Sequence, residues 1–338
     1  MDTDAVRLTL PEVHALAMQA LTASNVSPGN AQAIADTVTA AERDGCGSHG
    51  LMRLPGYVAP VRSGRIDGRA TPVLGGAGST VLKVDGGRGF QAPALRLALE
   101  PLVEQTRKSG IAALAISNAH HFGALWYDVE APAEQGLLAI TFVNSRPVMA
   151  PAGGREPVFG TNPLAIACPR PGRPPMIFDM ASSQSARGEI ILHGLKGQPI
   201  PLGWALDGDG NPTTDPEEAL KGTQLPVGGG AKGAGIALMV ELLAAGLTGG
   251  NFGFEANAAY DGDGGPSNAG QLIICFDPRR FADPGLTDRV EGLFGRIEGN
   301  GDARLPGGRR LEARAESLAN GVAVPAGIYQ QARALCTP

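Results

Sequence analysis

Apolar residues recur at helical spacing from the start of the chain. Behind Thr9-Leu10-Pro11-Glu12, which has capping-box spacing with Pro in the first turn, Val13, Leu16, Ala17, Ala20 and Leu21 share one face. Ser27-Pro28 opens a second helix through Ala31, Ile34, Val38 and Ala41 that stops near Gly45. From about residue 90 the pattern changes. A helix carrying Leu95, Leu99, Leu102 and Val103 leads to an apolar run at 111–116, a polar turn at 117–121, another helix and a second apolar run at 137–143. Alternating helices and buried strands predict an α/β core. Shorter apolar runs at 164–167, 176–180 and 272–276 predict further strands, and 235–247, 310–319 and 326–335 predict the later helices. The stretch 203–216 is too rich in turn residues to predict an element, and no internal repeat is visible.

Composition narrows the classes. Among 338 residues, 49 Gly and 27 Pro predict many tight turns, while 43% hydrophobic and 18% charged residues are too apolar for a disordered chain. The length fits two or three domains or one composite unit. A balance of 28 basic against 33 acidic residues, with no long run of either sign, argues against nucleic acid as a partner. The acidic opening 1–4 and the absence of an apolar stretch of about 20 residues predict a soluble, cytoplasmic protein with no membrane partner. Cys46, Cys168, Cys275 and Cys336 lie far apart, and the five histidines have no HExxH spacing. Reduced thiols and no metal site are expected.

Gly228-Gly229-Gly230-Ala231-Lys232-Gly233 satisfies G-x-G-x-x-G, but 222–227 makes a poor buried strand, so a Rossmann site is disfavoured. The better reading is a glycine-rich turn at a helix start, offering backbone N–H groups to an anion beside Lys232. Ser48 and His49, adjacent in sequence, are expected to point in different directions rather than to pair as nucleophile and base, and no G-x-S-x-G elbow exists. His49 and Arg53 share a face if their segment is helical. An imidazole that exchanges protons beside a guanidinium that clamps a carboxylate suits a small acidic substrate; a helix-start histidine and a surface arginine fit the same spacing. His120-His121-Phe122-Gly123 follows a strand and precedes a helix, where ligands often meet an α/β sheet. The segments 160–163 and 178–181 read as a polar turn and a strand end with one carboxylate, and 304–310 as a basic loop.

Taken in order, these segments resemble the malate/lactate dehydrogenase-like oxidoreductases, which bind NAD(P) on a non-Rossmann fold. The resemblance rests on Asp44-Gly45-Cys46-Gly47-Ser48-His49-Gly50-Leu51-Met52-Arg53-Leu54-Pro55-Gly56-Tyr57-Val58, on His120–Trp126, Phe159–Pro163, Phe178–Ala181 and Pro212–Pro216, and on Lys232-Gly233 with Met239–Leu243. Cys-x-Ser-His-Gly-Leu-x-Arg and the Leu-Trp after His-His-Phe are most similar to bacterial reductases of Δ1-pyrroline-2-carboxylate and Δ1-piperideine-2-carboxylate, which yield proline and pipecolate with NADPH.

The resemblance implies a composite α/β fold, with a predominantly antiparallel mixed sheet in a nucleotide-binding part, 71–309, against a helical part, 1–70 completed by 310–338. It also implies a homodimer. His49 would be the proton donor, Ser48 and Glu189 its relay, with Glu189 standing where the relatives carry Asp. Arg53 would hold the substrate carboxylate and Thr161 would touch the substrate. His121, Phe122, Gly123, Ala124 and Leu125, then Asp179, Met180, Ala181, Arg187 and Gly188, would line the nucleotide. Gly230, Ala231 and Lys232 would hold its phosphates together with Arg304, Leu305, Pro306, Gly307, Gly308, Arg309 and Arg310. Ala231 and Arg187 depart from the family, each standing where a relative carries His, and NADH is the alternative donor. The chemistry agrees: hydride adds to the C=N carbon and the nitrogen ends protonated, so an acid and a carboxylate-binding cation are required. Competing readings are an open-chain 2-hydroxy acid dehydrogenase with His121 as base, a hydrolase using Ser48 or Cys46, and a non-catalytic binding module.

Overall fold

The computed structural model describes residues 5–76, 78–256, 268–281 and 286–337. In chain order the elements begin β1 (Ala5–Leu8), α1 (Leu10–Ala23), α2 (Pro28–Arg43), α3 (Leu54–Arg62), β2 (Val73–Gly75), β3 (Val81–Phe90), α4 (Gln91–Ser109), β4 (Ile111–His120) and α5 (Leu125–Glu134). There follow β5 (Leu138–Val143), β6 (Leu164–Cys168), β7 (Met176–Met180), α6 (Arg187–Leu195), β8 (Ala205–Leu206), β9 (Pro212–Thr213), α7 (Pro216–Lys221), β10 (Thr223–Gln224) and α8 (Ala231–Val240). The chain closes with β11 (Gln271–Phe276), α9 (Pro278–Phe281), α10 (Leu286–Glu298), α11 (Gly308–Asn320), β12 (Val322–Pro325) and α12 (Ala326–Ala334).

The first helix forms as its sequence dictates: Thr9 Oγ1 accepts from the Glu12 backbone and the Glu12 carboxylate accepts from the Thr9 backbone, satisfying two N-terminal donors reciprocally. Its buried residues are the five apolar positions of the periodic face. The main sheet runs β2-β3-β4-β11-β5-β6-β7, and within it β3–β4 is parallel while the other neighbouring pairs are antiparallel. That order and those directions are those of a mixed, mostly antiparallel sheet, not of a doubly wound one.

One core lies between this sheet and the helices laid on it, with Leu114, Ile116 and Ile273 against Leu102, Val103, Trp126 and Val129. A second core packs α1, α2 and α3 against the end of the chain, through Leu21, Ile34, Leu54, Val322, Val324 and Ala332. The two ends of the described chain meet in a two-stranded sheet, β1 antiparallel to β12 with Val6 opposite Val324.

Several local expectations change. The strand expected at 111–116 continues to His120, so the polar turn expected at 117–121 is mostly strand, paired with β3 as far as His120 opposite Phe90. The stretch 203–216, expected to lack elements, holds β8 and β9, which with β10 form a small sheet in the order β10-β8-β9. The helix expected at 235–247 begins earlier, at Ala231, and passes into a wider π turn over Glu241–Gly246.

Candidate active site

The segment after α2 is two short 3₁₀ turns, Gly47–His49 and Leu51–Arg53, broken at Gly50 (φ −87°, ψ −141°). It is not the helix on which His49 and Arg53 were expected to share a face. It hangs from the last turn of α2: the Cys46 N–H donates to Ala41 O at 2.8 Å and the Leu51 N–H to Glu42 Oε1 at 2.8 Å. A Cβ on Gly50 would collide with the Glu42 side chain and push its carboxylate off the Leu51 N–H.

This tight turn overturns the expectation that Ser48 and His49 diverge. Ser48 Oγ lies 3.2 Å from His49 Nδ1, and Arg53 Nε donates to the Ser48 carbonyl at 2.9 Å. Burial, aided by the Arg53 charge, pushes the His49 imidazole down to about 4. The ring is therefore neutral near pH 7.

His121 approaches Arg53 and His49 from the loop after β4. Its backbone is left-handed (φ 60°), uncommon for a residue other than Gly, Asn or Asp, and turns its ring onto α3. The Tyr57 ring meets it edge-on at 3.9 Å, and a Cβ on Gly56 would stand 3.5 Å from its Cε1. Burial lowers His121 well below the usual imidazole range, with Arg53, His120, His49 and Arg146 adding to the effect. Sequence reading missed Tyr57, although it sits four residues after Arg53 inside the motif, on the helix turn that follows it. His120 is buried behind, and among the described residues neither of its ring nitrogens has a hydrogen-bond partner. Burial pushes it down to about 4.

The first turn of α6 closes one side: a Cβ on Gly188 would lie 3.7 Å from Ser48 Cβ. The next residue, Glu189, is exposed, and its carbonyl pairs with His193 Nδ1 at 2.8 Å. The structure thus brings together Ser48, His49, Arg53, His121 and Gly188, with the Glu189 carboxylate outside their hydrogen bonds. Arg187 Nη2 donates to Leu220 O at 3.2 Å.

Some of the remaining sequence candidates are joined by hydrogen bonds. The Thr161 carbonyl accepts from Ser182 N at 2.8 Å and from Ser182 Oγ at 3.0 Å, joining the 160–163 turn to Met180 and Ala181. Val227 N donates to Ser182 O, and Gly228 N to Gln184 Oε1, each at 2.8 Å, which laces the glycine turn to the same segment. Gly228 and Gly229 have φ of 70° and 66°. Gly230 starts α8 without a side-chain cap, and Lys232 is exposed in its first turn. A Cβ at Gly228 or Gly229 would meet nothing within 4 Å. Uncapped N–H groups, an open approach and a lysine are a donor set that fits an anionic phosphate.

Beneath the glycine turn, Glu241 accepts from Asn162 Nδ2 (2.9 Å), Asn144 Nδ2 (3.0 Å) and Gly253 N (3.0 Å). Burial raises its carboxyl, so it acts as a satisfied anchor for these loops.

Asp179 Oδ2 accepts from the Trp126 N–H at 3.0 Å, fixing the start of α5 to β7, and burial pushes its carboxyl up to about 6. In the 304–310 segment, Arg304 and Arg309 are exposed, whereas the Arg310 guanidinium turns inward, 4.9 Å from the Trp126 ring centre. Leu305 is buried, and a Cβ on Gly307 (φ 86°) would press on Ile177 O at 2.9 Å, so this loop rests on β7.

The malate/L-lactate dehydrogenase family matches residues 8–333. The chain is 46% identical over 336 residues to Delta(1)-pyrroline-2-carboxylate reductase 2 of Burkholderia multivorans, covering 98% of both chains. It is 44% identical to (2R)-3-sulfolactate dehydrogenase (NADP(+)) of Chromohalobacter salexigens, covering 91% of this chain and 92% of that one. Among solved structures, delta1-piperideine-2-carboxylate reductase of Pseudomonas syringae pv. tomato superposes with a TM-score of 0.92 at 41% identity, covering 98% of this chain and 99% of that one.

Proposed function

The chain belongs to the malate/L-lactate dehydrogenase family, and we propose that it reduces cyclic 2-imino acids, Δ1-pyrroline-2-carboxylate and Δ1-piperideine-2-carboxylate, with a nicotinamide nucleotide. The observation that carries this is near-full-length likeness to two such reductases, combined with an imidazole and a guanidinium held close together on one turn.

When bound, the nucleotide supplies hydride to the C=N carbon. The protein's residues do the rest. Arg53, its guanidinium plane fixed through Nε on the Ser48 carbonyl, grips the substrate carboxylate and orients the ring. The bound carboxylate offsets the Arg53 charge that helps depress His49. His49 then takes up a proton more readily and passes it from Nε2 to the ring nitrogen. Ser48 Oγ on Nδ1 holds the imidazole in that orientation. Thr161 contacts the substrate in the same proposal. Glu189 completes the relay if its exposed side chain swings towards Ser48.

Residues 121–125, 179–181, 187–188, 230–232 and 304–310 would hold the nucleotide. NADPH is the proposed donor, supported by the NADP(+) in one relative's name and by the exposed Arg304 and Arg309. The proposed division is a helical part, 1–70 with 310–338, and a nucleotide part, 71–309; it is supported by the two largest cores, which cross it at Ala40 on one side and at Phe90 and Ala92 on the other. A homodimer finds a suitable face in Leu238, Met239, Leu242 and Leu247, all exposed. A cytoplasmic setting suits the four free cysteines.

One observation favours a second reading. The likeness to a sulfolactate dehydrogenase is nearly as high, and in this reading His121, close to Arg53 and His49, would serve as the base for an open-chain 2-hydroxy acid. Parallel assays of a cyclic imino acid and an open-chain 2-keto acid, each with NADPH and NADH, separate the two. The imino acid is expected to be reduced faster.

A further inference from the structure

Helix α11 leaves the 304–309 loop and crosses the end of α2. Two arginines one turn apart face inward from it. Arg310 lies 4.9 Å and Arg314 5.9 Å from the centre of the Trp126 ring. Arg314 Nε donates to Asp44 Oδ1 at 2.8 Å, and its Nη2 reaches Asp44 Oδ2 at 2.5 Å and Glu130 Oε1 at 2.6 Å. Arg43 reaches the same Asp44 carboxylate, with Nε to Oδ1 at 2.6 Å. Ala313, between the two inward arginines, closes on Gly45: a Cβ there would sit 3.0 Å from the Ala313 Cβ.

Asp44 is the last residue of α2's hydrogen-bonded end, and its side chain has no solvent exposure. Burial alone would raise its carboxyl, but Arg314 and Arg43 outweigh that and hold it low, so it is a carboxylate. Gly45 follows at φ 71°, and then the turn that carries Ser48 and His49. That turn has two ties to α2, at Ala41 and Glu42. Among the described residues, α11 grips the hinge between them and the helix from outside, through the Arg314–Asp44 fork and the approach of Ala313 to Gly45.

We infer that Arg314 is a positioning residue: through Asp44 it sets the turn that presents Ser48 and His49, and it does so from the helix whose leading loop rests on β7. This inference rests on the reductase reading. A buried, bidentate guanidinium–carboxylate pair has the geometric rigidity for this role. Arg43 cannot substitute for it, being the neighbour of Asp44 on the same helix and moving with it. The Glu130 branch ties α11 to α5, and Glu130 also lies 3.6 Å from Arg43 Nη2, so it joins the same network one step further from the turn than Asp44 does.

The test compares Arg314→Met, Asp44→Asn and Glu130→Gln in the full chain, reading kcat, KM, thermal midpoint and the rate at which iodoacetamide alkylates Cys46, a half-buried thiol inside the turn. Arg314→Met and Asp44→Asn are expected to lower kcat by at least about tenfold with KM for the imino acid changed less than about threefold. Cys46 is expected to alkylate about tenfold faster in both. Glu130→Gln, which leaves the Arg314–Asp44 fork in place, is expected to change both readouts less than Asp44→Asn does. Should Arg314→Met not fold, Arg314→Lys, which keeps the charge but loses the fork, is expected to give the same direction of change at smaller size. The inference is overturned if kcat and Cys46 alkylation in Arg314→Met, or in Arg314→Lys and Asp44→Asn where Arg314→Met does not fold, match wild type. It is equally overturned if Glu130→Gln falls as far as Arg314→Met. Wild-type protein that turns over no imino acid sinks the reductase reading instead, and Cys46 alkylation alone then decides the positioning role.

Discussion

Ser48 Oγ lies 3.2 Å from Nδ1 of His49, its immediate neighbour in sequence. Consecutive residues meet because a 3₁₀ turn, ended by Gly50, folds the backbone tightly enough to bring the hydroxyl alongside the ring. His49 thereby has one nitrogen committed and one left for substrate. His49→Asn is expected to lower kcat by about 10²–10⁴-fold, the usual worth of a general acid. Ser48→Ala, which removes only the orienting contact, is expected to cost about tenfold. Steady-state kinetics on the two purified variants checks the ranking.

Arg53 holds the Ser48 carbonyl through Nε, so Lys cannot replace it. Arg53→Lys is expected to raise KM for the imino acid by about tenfold and Arg53→Ala by about a hundredfold, or roughly 1.4 and 2.8 kcal/mol. A lower kcat with unchanged KM in both variants would assign Arg53 a role in the reaction step alone.

The pH dependence follows from His49, held at about 4 in the free enzyme by burial and Arg53. If the imidazolium is the proton donor, kcat/KM, which reports the free enzyme, falls by about one log unit per pH unit above about pH 5. The kcat profile is expected to fall at higher pH, because the substrate carboxylate offsets Arg53 in the complex. A kcat/KM that is flat across the same range contradicts His49 as the donor.

Asp128 makes a second pH experiment possible, this time on stability. It lies buried in α5, accepting from Gln271 Nε2 at 2.6 Å, and burial pushes its carboxyl up to about 7. Because the folded value lies above the unfolded one, its contribution is fully present below about pH 4 and is lost as pH rises through about 7. Asp128→Asn keeps a neutral side chain at every pH. The variant is therefore expected to gain stability over wild type as pH rises from about 4 to about 8, by at most on the order of 4 kcal/mol. Urea midpoints measured across that range check the sign.

The legible parts of this molecule are those with a local cause. The capped helix α1, the strands around Leu114 and Ile273 and the helix start at the glycine turn follow from residues close in sequence. So did the rejection of a Rossmann reading, since a two-residue strand, β10, precedes the glycines. What sequence missed needed tertiary context. The Ser48–His49 pairing depends on a turn type that helix and strand geometry do not anticipate. The pairing of β1 with β12 and the Arg314–Asp44 fork join distant parts of the chain, the fork's partners standing 270 positions apart, and no periodicity announces either. His121 was visible as a position after a strand, but its contact with Tyr57 required the left-handed backbone that turns its ring onto α3.

The most direct measurement is NADPH consumption by the purified chain with Δ1-pyrroline-2-carboxylate and Δ1-piperideine-2-carboxylate, beside pyruvate, oxaloacetate and sulfopyruvate. Faster turnover of the cyclic imino acids, with proline or pipecolate as product, is the expected result. Reduction of an open-chain 2-keto acid, with no turnover of either imino acid using NADPH or NADH, would contradict the proposed function.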